Sequence, residues 1–151
     1  MKQKIKFGTG GWRAIIGEEF TRENVMLVAM GILKLIKKEK KTDKPVIIGF
    51  DRRFLSENAA KWVAEVLAEG GINVWFLNRS APTPLIMHTV KDSELYFGVE
   101  VTASHNPARY NGIKVIVDEG RDASQEITGR IEELIEATKE VKIIDFEPNY
   151  I

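Results

Sequence analysis

The sequence has no cysteine, only two histidines and no long apolar run among its 151 residues. The lack of cysteine excludes disulfide bonds, thiolate metal ligands and a cysteine nucleophile, and it fits a reducing cytoplasm. The longest uncharged apolar stretch of the first predicted helix, residues 25–33, is too short to cross a bilayer. No apolar core follows the charged segment 1–7, which therefore does not resemble a signal peptide. We expect a cytoplasmic protein with no membrane partner.

The charge of the chain does not point to nucleic acid. Basic and acidic residues number 22 each, so the formal net charge is zero. The densest basic cluster, residues 34–41, ends a predicted helix, where lysines complement the helix dipole while remaining in solvent. The cluster has no interleaved aromatic residues and belongs to no known nucleic-acid motif. We therefore expect no nucleic-acid partner.

The alternation of helical and strand patterns predicts a single α/β domain. Helical periodicity, with N-caps at Thr21, Ser56 and Asp122, predicts helices over residues 21–38, 56–69, 85–90 and 123–138. Apolar runs predict strands over residues 46–50, 72–77, 95–101 and 113–117. The short connection between the last two strands predicts an antiparallel hairpin at the edge of the sheet. The fold class is therefore a three-layer α/β/α sandwich with a mixed, mostly parallel four-stranded sheet ending in that hairpin.

The domain is expected to occupy residues 1–140. Residues 141–151 change to an extended pattern that contains a Pro-Asn pair at its end. We interpret this segment as a boundary or linker to further domains that this chain lacks.

The segment between the last two predicted strands carries more chemistry than a turn requires. Residues 101–114 read V-T-A-S-H-N-P-A-R-Y-N-G-I-K, and the Asn-Gly pair at 111–112 predicts a tight return into the final strand. The polar side chains are a hydroxyl, an imidazole, an amide and two cations, contributed by Ser104, His105, Asn106, Arg109 and Lys114. A hydroxyl among cations and amide donors suits a phosphate ester better than a free alcohol. The alternative is an ordinary surface turn.

Other chemistries at Ser104 are disfavoured by the residues around it. In an extended chain the adjacent Ser104 and His105 would point to opposite sides, which is wrong for a nucleophile and its base. No G-x-S-x-G elbow surrounds the serine, and two distant histidines without an acidic cluster make no metal cage. A phosphorylated serine would differ, because one of its oxygens could ligate Mg²⁺.

Two further segments are candidates for the site. Residues 6–17 read K-F-G-T-G-G-W-R-A-I-I-G, whose glycines could form an anion nest, although Arg13 stands where a dinucleotide motif needs its third glycine. The alternative is a Gly-rich turn with Arg13 paired to a carboxylate. The triplet Asp51-Arg52-Arg53 follows a buried strand at the edge where α/β sheets bind ligands. It either lines the site or forms a self-contained ion pair.

The segments T-A-S-H-N-P at 102–107 and Y-N-G-I-K at 110–114 closely resemble the phosphoserine loop of the α-D-phosphohexomutases. The segment F-G-T-G-G-W-R at 7–13 resembles the opening motif of the same family, of the phosphoglucomutase/phosphomannomutase type. This resemblance implies the first of four domains, an α/β/α layer with a mixed sheet. Ser104 would carry a phosphoryl group, pass it to a hexose phosphate, and recover the other phosphate from the resulting bisphosphate.

The resemblance also implies roles for particular residues. Lys114, Arg13 and His105 would act with Ser104 in catalysis, and the phosphate- or substrate-binding residues would be Thr102, Asn106, Arg109, Gly10 and Gly11. Mg²⁺ would bind through the phosphate on Ser104, with its other ligands in a further domain, because this chain has no D-G-D-x-D-R run. A glucose 1,6-bisphosphate-type activator, a hexose phosphate and other domains of the same polypeptide would be the partners. We expect the isolated chain to have negligible mutase activity.

Substrate identity and two alternative functions remain open. Trp12-Arg13-Ala14 and Thr102 are more similar to the phosphoglucomutase or phosphomannomutase branches than to the phosphoglucosamine branch, which favours glucose or mannose. Gly10 stands where many relatives have Ser or Asp. The main alternative is a non-catalytic α/β module that binds phosphate or sugar phosphate and carries no phosphate on Ser104. The second is an interaction protein that uses an exposed apolar flank.

Overall fold

A computed structural model describes residues 5–148 and shows one mixed β-sheet flanked by helices. A short 3₁₀ turn, Asp118–Gly120, joins the last two strands. In chain order the elements are β1 (Gly11–Ile15), α1 (Arg22–Lys38), β2 (Val46–Phe50), α2 (Ser56–Glu69), β3 (Val74–Phe76), α3 (Thr83–Asp92), β4 (Phe97–Val101), β5 (Tyr110–Val117), β6 (Arg121–Asp122) and α4 (Gln125–Glu136).

The strand order is β1-β5-β4-β2-β3, with β6 paired to the end of β5. Strand β2 runs parallel to β3 and β4, whereas β5 runs antiparallel to β4, β1 and β6. The α/β class, the mixed sheet and the antiparallel β4–β5 hairpin are confirmed. Two details of the predicted sheet are corrected. The described residues form six strands instead of four, and most strand pairs are antiparallel. The hairpin is not at the edge of the sheet, because β1 pairs with the outer side of β5. Strand β1 is short and follows a Gly-rich segment, which hides it from a periodicity pattern.

The helices form layers on both faces of the sheet, as expected for a three-layer sandwich. Helices α1, α2 and α4 pack together on one face, and α3 packs alone on the other. Alternate residues of β2 supply both cores: Ile48 lies in the larger core, while Ile47 packs with Ile86 and Val90 of α3. None of the helices within residues 5–148 is long and apolar enough to span a membrane.

The predicted N-cap of α1 is confirmed, and that of α2 is wrong. The Thr21 side chain accepts a hydrogen bond from the Asn24 N–H at 3.2 Å. Helix α2 instead follows Leu55, whose φ of 66° is left-handed and whose side chain makes no cap bond. The Ser56 hydroxyl is turned away from the helix and donates to Asp51 Oδ1 at 2.6 Å. A better acceptor outside the helix therefore displaces the local capping bond.

The predicted N-cap of the last helix at Asp122 is also wrong. Ser124 is the N-cap of α4 and accepts from the Ile127 N–H at 3.3 Å. Asp122 belongs to β6, and its carboxylate lies 3.0 Å from the Lys114 ammonium. An ion pair with a neighbouring strand thus takes the side chain that the sequence pattern assigned to the cap.

The end of the described chain packs against the domain. Residues 141–148 have no regular secondary structure, yet Val141 and Phe146 contact the larger core, and the Phe146 ring centroid lies 5.7 Å from that of Phe76. Residues 149–151 of the predicted linker 141–151 lie outside the described residues. Within 141–148 the chain covers apolar surface of this domain, and the domain boundary stays a prediction.

Strand β4 buries an acidic residue, Glu100. Its side chain is fully buried, and neither carboxyl oxygen has a hydrogen-bond partner among the described residues. The carboxyl group occupies space above Gly49, where an added Cβ would lie 2.5 Å from Oε2. Burial, followed by the nearby charge of Asp51, raises the pKa of Glu100 to about 9. Glu100 is therefore a neutral acid at pH 7.

We expect the stability of the domain to fall as pH rises from about 4.5 to about 9. The pKa of Glu100 is 4.5 in its ordinary state and about 9 in the fold, so the folded state keeps a proton that the unfolded chain releases. The loss accumulated by pH 7 is about 3 kcal/mol. Glu100→Gln removes this titration and should be more stable than the native chain at pH 8, with a flatter pH profile in urea unfolding.

The exposed Glu133 provides a matched control. Glu133→Gln changes a solvent-exposed side chain and should follow the native pH profile. A native free energy of unfolding that stays constant between pH 5 and pH 9 would contradict the protonated state of Glu100.

Candidate active site

The loop between β4 and β5 presents Ser104 to solvent at its tip. The Thr102 N–H donates to the Gly112 carbonyl at 3.0 Å and closes the base of the loop. Ser104 has a left-handed backbone with a φ of 54°, and its N–H donates to the Thr102 hydroxyl oxygen at 3.0 Å. The Asn106 N–H donates to the Ala103 carbonyl at 3.0 Å. These local bonds fold the chain tightly beneath an exposed hydroxyl group.

His105 contacts the Ser104 hydroxyl, and Arg13 contacts the loop at Asn106. The distance from Ser104 Oγ to His105 Nδ1 is 3.4 Å. The expectation that these two side chains point to opposite sides is wrong, because Ser104 is left-handed rather than extended. Arg13 lies on β1 opposite Gly112 of β5, and its guanidinium donates to Asn106 Oδ1 at 3.1 Å. Within residues 5–148 its hydrogen-bond partner is this amide, so the alternative of an Arg13–carboxylate pair is wrong.

Lys114 lies on β5, largely buried and beside an acidic partner. Its ammonium is 3.0 Å from Asp122 Oδ1, and its side chain is 20% exposed. Gly10 makes room for this pair: its φ is 72°, and a Cβ there would lie 3.2 Å from the carboxyl carbon of Asp122. A side chain at position 10 would thus meet a carboxylate, and a direct bond from Gly10 to phosphate stays a prediction.

The other predicted binding residues surround the loop without converging on one point. Thr102 is buried beneath Ser104, and the Arg109 guanidinium lies over the Tyr110 ring at 5.5 Å. Gly11 pairs with Lys114 in the sheet, and its carbonyl accepts from the Gly8 N–H at 2.8 Å. That N–H is therefore engaged in a turn and is not part of an anion nest. Contacts from Thr102, Arg109 and Gly11 to a phosphate stay predictions.

The predicted turn at Asn111-Gly112 is wrong, because both residues lie inside β5. Asn111 is fully buried, and its amide donates to the Phe54 carbonyl at 3.0 Å and to Ser56 Oγ at 2.9 Å. Gly112 is packed between neighbouring strands, so that an added Cβ would collide with the Trp12 carbonyl. The Asn-Gly pair here serves close strand packing and a buried polar contact instead of a turn.

Arg53 is the site residue whose role the sequence did not reveal. Its guanidinium lies under the loop and donates four hydrogen bonds of 2.6–3.1 Å to backbone carbonyls, those of Ser104, Asn106, Pro107 and Tyr110. Its Nε is 3.5 Å from Asp51 Oδ2. The expected Asp51–Arg53 pair therefore exists, and it also reaches the site. The signal in the sequence was the position of Arg53 after β2, at the same sheet edge as the end of β4.

The unmodified residues do not form a magnesium site. Among residues 5–148 there is no group of three or more acidic or histidine side chains placed to hold a metal ion. Ser104 Oγ lies 3.4 Å from a ring nitrogen of His105, which is not an oxygen ligand. Mg²⁺ prefers oxygen ligands, so only a phosphate on Ser104 would supply a suitable one here.

The fold and the loop together define an α/β/α domain that presents an exposed serine hydroxyl on the loop between β4 and β5, with Arg13 and Arg53 hydrogen-bonded to that loop. Residues 4–142 match the sequence model of the family described as phosphoglucomutase/phosphomannomutase, alpha/beta/alpha domain I. The chain belongs to this family.

Similar proteins are mutases acting on several sugars, according to their names. The chain is 36% identical to a phosphoglucosamine mutase of Rippkaea orientalis over 84% of its length, 34% identical to a phosphoglucomutase of Staphylococcus saprophyticus over 87%, and 38% identical to a probable phosphoribomutase of Schizosaccharomyces pombe over 76%. It covers only 26%, 24% and 20% of these relatives. The chain thus spans about a quarter of the length of proteins it resembles.

Solved structures show the same fold. A putative phosphomannomutase from Thermus thermophilus superposes on the whole chain with a TM-score of 0.90 and 31% identity, and the chain covers 34% of it. A phosphoglucomutase, parafusin from Paramecium, superposes on 97% of the chain with a TM-score of 0.84 and 23% identity, and 28% of it is covered. At this lower identity the second likeness concerns the fold alone.

The left-handed backbone of Ser104 leads to a stability prediction. Glycine adopts this conformation without the clash that a Cβ causes, so Ser104→Gly should be more stable than Ser104→Ala by about 1 kcal/mol. The comparison uses two variants that both lack the hydroxyl group, and chemical denaturation measures the difference. If Ser104→Ala proved the more stable variant, the left-handed conformation of this residue would be refuted.

Proposed function

We propose that this chain is the phosphoserine-bearing domain of a phosphohexomutase that moves phosphate between C1 and C6 of a hexose phosphate. The observation that carries this proposal is the exposed Ser104 hydroxyl, on a loop fixed from below by Arg53 and flanked by His105 and Arg13. Membership of the family supports the reaction class. The reaction would pass through a phosphorylated Ser104 and a sugar bisphosphate.

The proposed transfer exchanges one P–O bond for another. A hydroxyl oxygen of the hexose phosphate attacks the phosphorus on Ser104, the bond from phosphorus to Oγ breaks, and a sugar bisphosphate forms. The sugar hydroxyl loses a proton and Oγ gains one. Lys114 is the proposed carrier: its ammonium gives a proton to Oγ, and the amine that results takes the proton of the sugar hydroxyl. The bisphosphate then reorients and returns its other phosphate to Ser104 by the reverse steps.

The charges around the loop fit a phosphorylated serine. A phosphoserine carries about two negative charges near neutral pH. Arg13 holds only a neutral amide, so its guanidinium can turn to two phosphate oxygens at once. Lys114 would exchange its ion pair with Asp122 for an ion pair with the phosphate or a hydrogen bond with the sugar hydroxyl. His105, within reach of Oγ, would hydrogen-bond the transferred group.

Mg²⁺ and a bisphosphate activator complete the proposal. Mg²⁺ would bind an oxygen of the phosphate on Ser104, and its charge would offset that of the transferred group. Its remaining ligands would come from other domains of the same polypeptide, since the described residues supply no cage. A glucose 1,6-bisphosphate-type activator would load the serine.

We propose glucose or mannose as the hexose, because Trp12-Arg13-Ala14 and Thr102 are more similar to the phosphoglucomutase and phosphomannomutase branches. The names of the relatives include glucosamine, glucose and ribose mutases, so their similarity does not separate these sugars. Catalysis of phosphoryl transfer depends mainly on positioning and on charge stabilisation. Because this chain spans about a quarter of its relatives, we expect it to interconvert glucose 1- and 6-phosphate at a negligible rate by itself. A coupled assay that showed an enzyme-like rate would contradict this.

Phosphorylation of Ser104 tests the proposal directly. The chain is incubated with glucose 1,6-bisphosphate and Mg²⁺, and intact-mass analysis with peptide mapping follows. We expect the mass of one phosphoryl group, located on Ser104 and absent from Ser104→Ala. Ser93→Ala, which changes an exposed serine outside the loop, is the matched control and should be modified like the native chain.

Two outcomes would overturn the proposal. A phosphate mapped to another residue would remove the role of Ser104. Reversible binding of a sugar phosphate without any covalent product would support a non-catalytic phosphate-binding module instead.

A further inference from the structure

We propose that Arg53 is a positioning residue, which gathers the loop carbonyls on one side so that loop N–H groups face the phosphate on the other. This inference rests on the proposed function, because it concerns the same serine. The Arg53 side chain is 15% exposed and lies beneath the loop. Its role is distinct from that of Arg13, whose guanidinium donates to the Asn106 side chain.

The hydrogen bonds of Arg53 leave it no free donor for a ligand. Nη1 donates to the Pro107 and Tyr110 carbonyls, and Nη2 donates to those of Ser104 and Asn106. The remaining N–H, at Nε, faces the Asp51 carboxylate. A guanidinium has five N–H groups, and all five are directed at the chain itself. Arg53 therefore acts on a phosphate through the loop and not by direct contact.

The direction of the carbonyls fixes the direction of the amides that follow them. No peptide bond among the described residues is cis, and in a trans peptide the C=O and the next N–H point to opposite sides. The Ser104 and Pro107 carbonyls point at Arg53, so the His105 and Ala108 N–H groups point away from it. Two N–H groups that face outward from one loop can both serve as hydrogen-bond donors to an anion bound there. They would donate to phosphate oxygens as charge develops in the transfer.

The guanidinium is itself held by a buried polar network. Asp51 Oδ1 accepts from the backbone N–H of Arg53 at 3.0 Å and from the Ser56 hydroxyl at 2.6 Å. Asn111 in turn donates to Ser56 Oγ at 2.9 Å. The network joins the end of β2, the start of α2 and β5, which are rigid elements. A fixed guanidinium therefore fixes the loop before any ligand binds, as efficient positioning requires.

Arg53→Lys separates geometry from charge. Lysine keeps the positive charge but offers a single ammonium with three donors, which cannot bond four separated carbonyls. We expect phosphorylation of Ser104 by glucose 1,6-bisphosphate to slow by about 100-fold, the usual cost of a misplacement of about 1 Å. Arg52→Lys is the matched control, because Arg52 is exposed and its hydrogen-bond partner among residues 5–148 is Ser80 Oγ, at 3.4 Å. It should retain the native rate.

Amide NMR tests the role of the loop N–H groups without relying on the covalent reaction. Titration with inorganic phosphate should move the His105 and Ala108 amide proton signals downfield in the native chain and in Arg52→Lys, and not in Arg53→Lys. The unchanged spectrum of the rest of the domain shows that the variant is folded. If Arg53→Lys does not fold, Asp51→Asn, which removes the carboxylate that anchors Arg53, should show the same losses in part.

The outcomes separate the two proposals. Phosphate-dependent shifts that require Arg53, in a chain that the bisphosphate never phosphorylates, would refute the proposed function and support the role of Arg53. Native-like phosphorylation of folded Arg53→Lys would overturn that role. His105 and Ala108 amide signals that do not move when phosphate is added to the native chain would overturn it as well.

Discussion

The candidate site depends on the pairing of β5 with strands on both of its sides. Pairing with β4 forms the hairpin whose loop carries Ser104, and pairing with β1 brings Arg13 and the Gly-rich segment beside that loop. Gly112 makes the double pairing possible, because the backbones of Trp12 and Thr102 leave no space for a side chain there. Residues far apart in the sequence thereby meet at one sheet edge. Without β1 beside it, the loop would keep its serine and lose its cationic neighbour.

Two fully buried polar side chains, on β4 and β5, differ in whether they are hydrogen-bonded, and the consequences differ. Asn111 is fully buried and bonds the Phe54 carbonyl, Ser56 and the Gly112 N–H, so its burial adds order to the base of the loop. Glu100 is also fully buried but has no hydrogen-bond partner among the described residues, and burial holds it neutral. The first arrangement makes the loop rigid. The second gives the domain a pH-dependent stability.

Much of the fold could be predicted from the sequence, and the failures share one cause. Buried apolar runs and helical periodicity gave the helices and the parallel strands, because burial imposes those periods wherever an element packs. The caps at Ser56 and Asp122 failed because each side chain has a stronger partner elsewhere, Asp51 and Lys114 respectively. Strand β1 was missed because five residues following glycines show no period. In each case a contact with a group outside the element itself decided the local structure, and a pattern within the element does not contain that contact.

By itself, the sequence determined the α/β class, the motifs and the reactive groups, since the residue types and their order contain that information. Only the tertiary structure decided where these groups lie: that Ser104 is left-handed and beside His105, that Lys114 pairs with Asp122, and that Arg53 holds the loop. These depend on which strands become neighbours, and strand pairing arises from the packing of the whole sheet. A local sequence pattern contains no information on which strands pair.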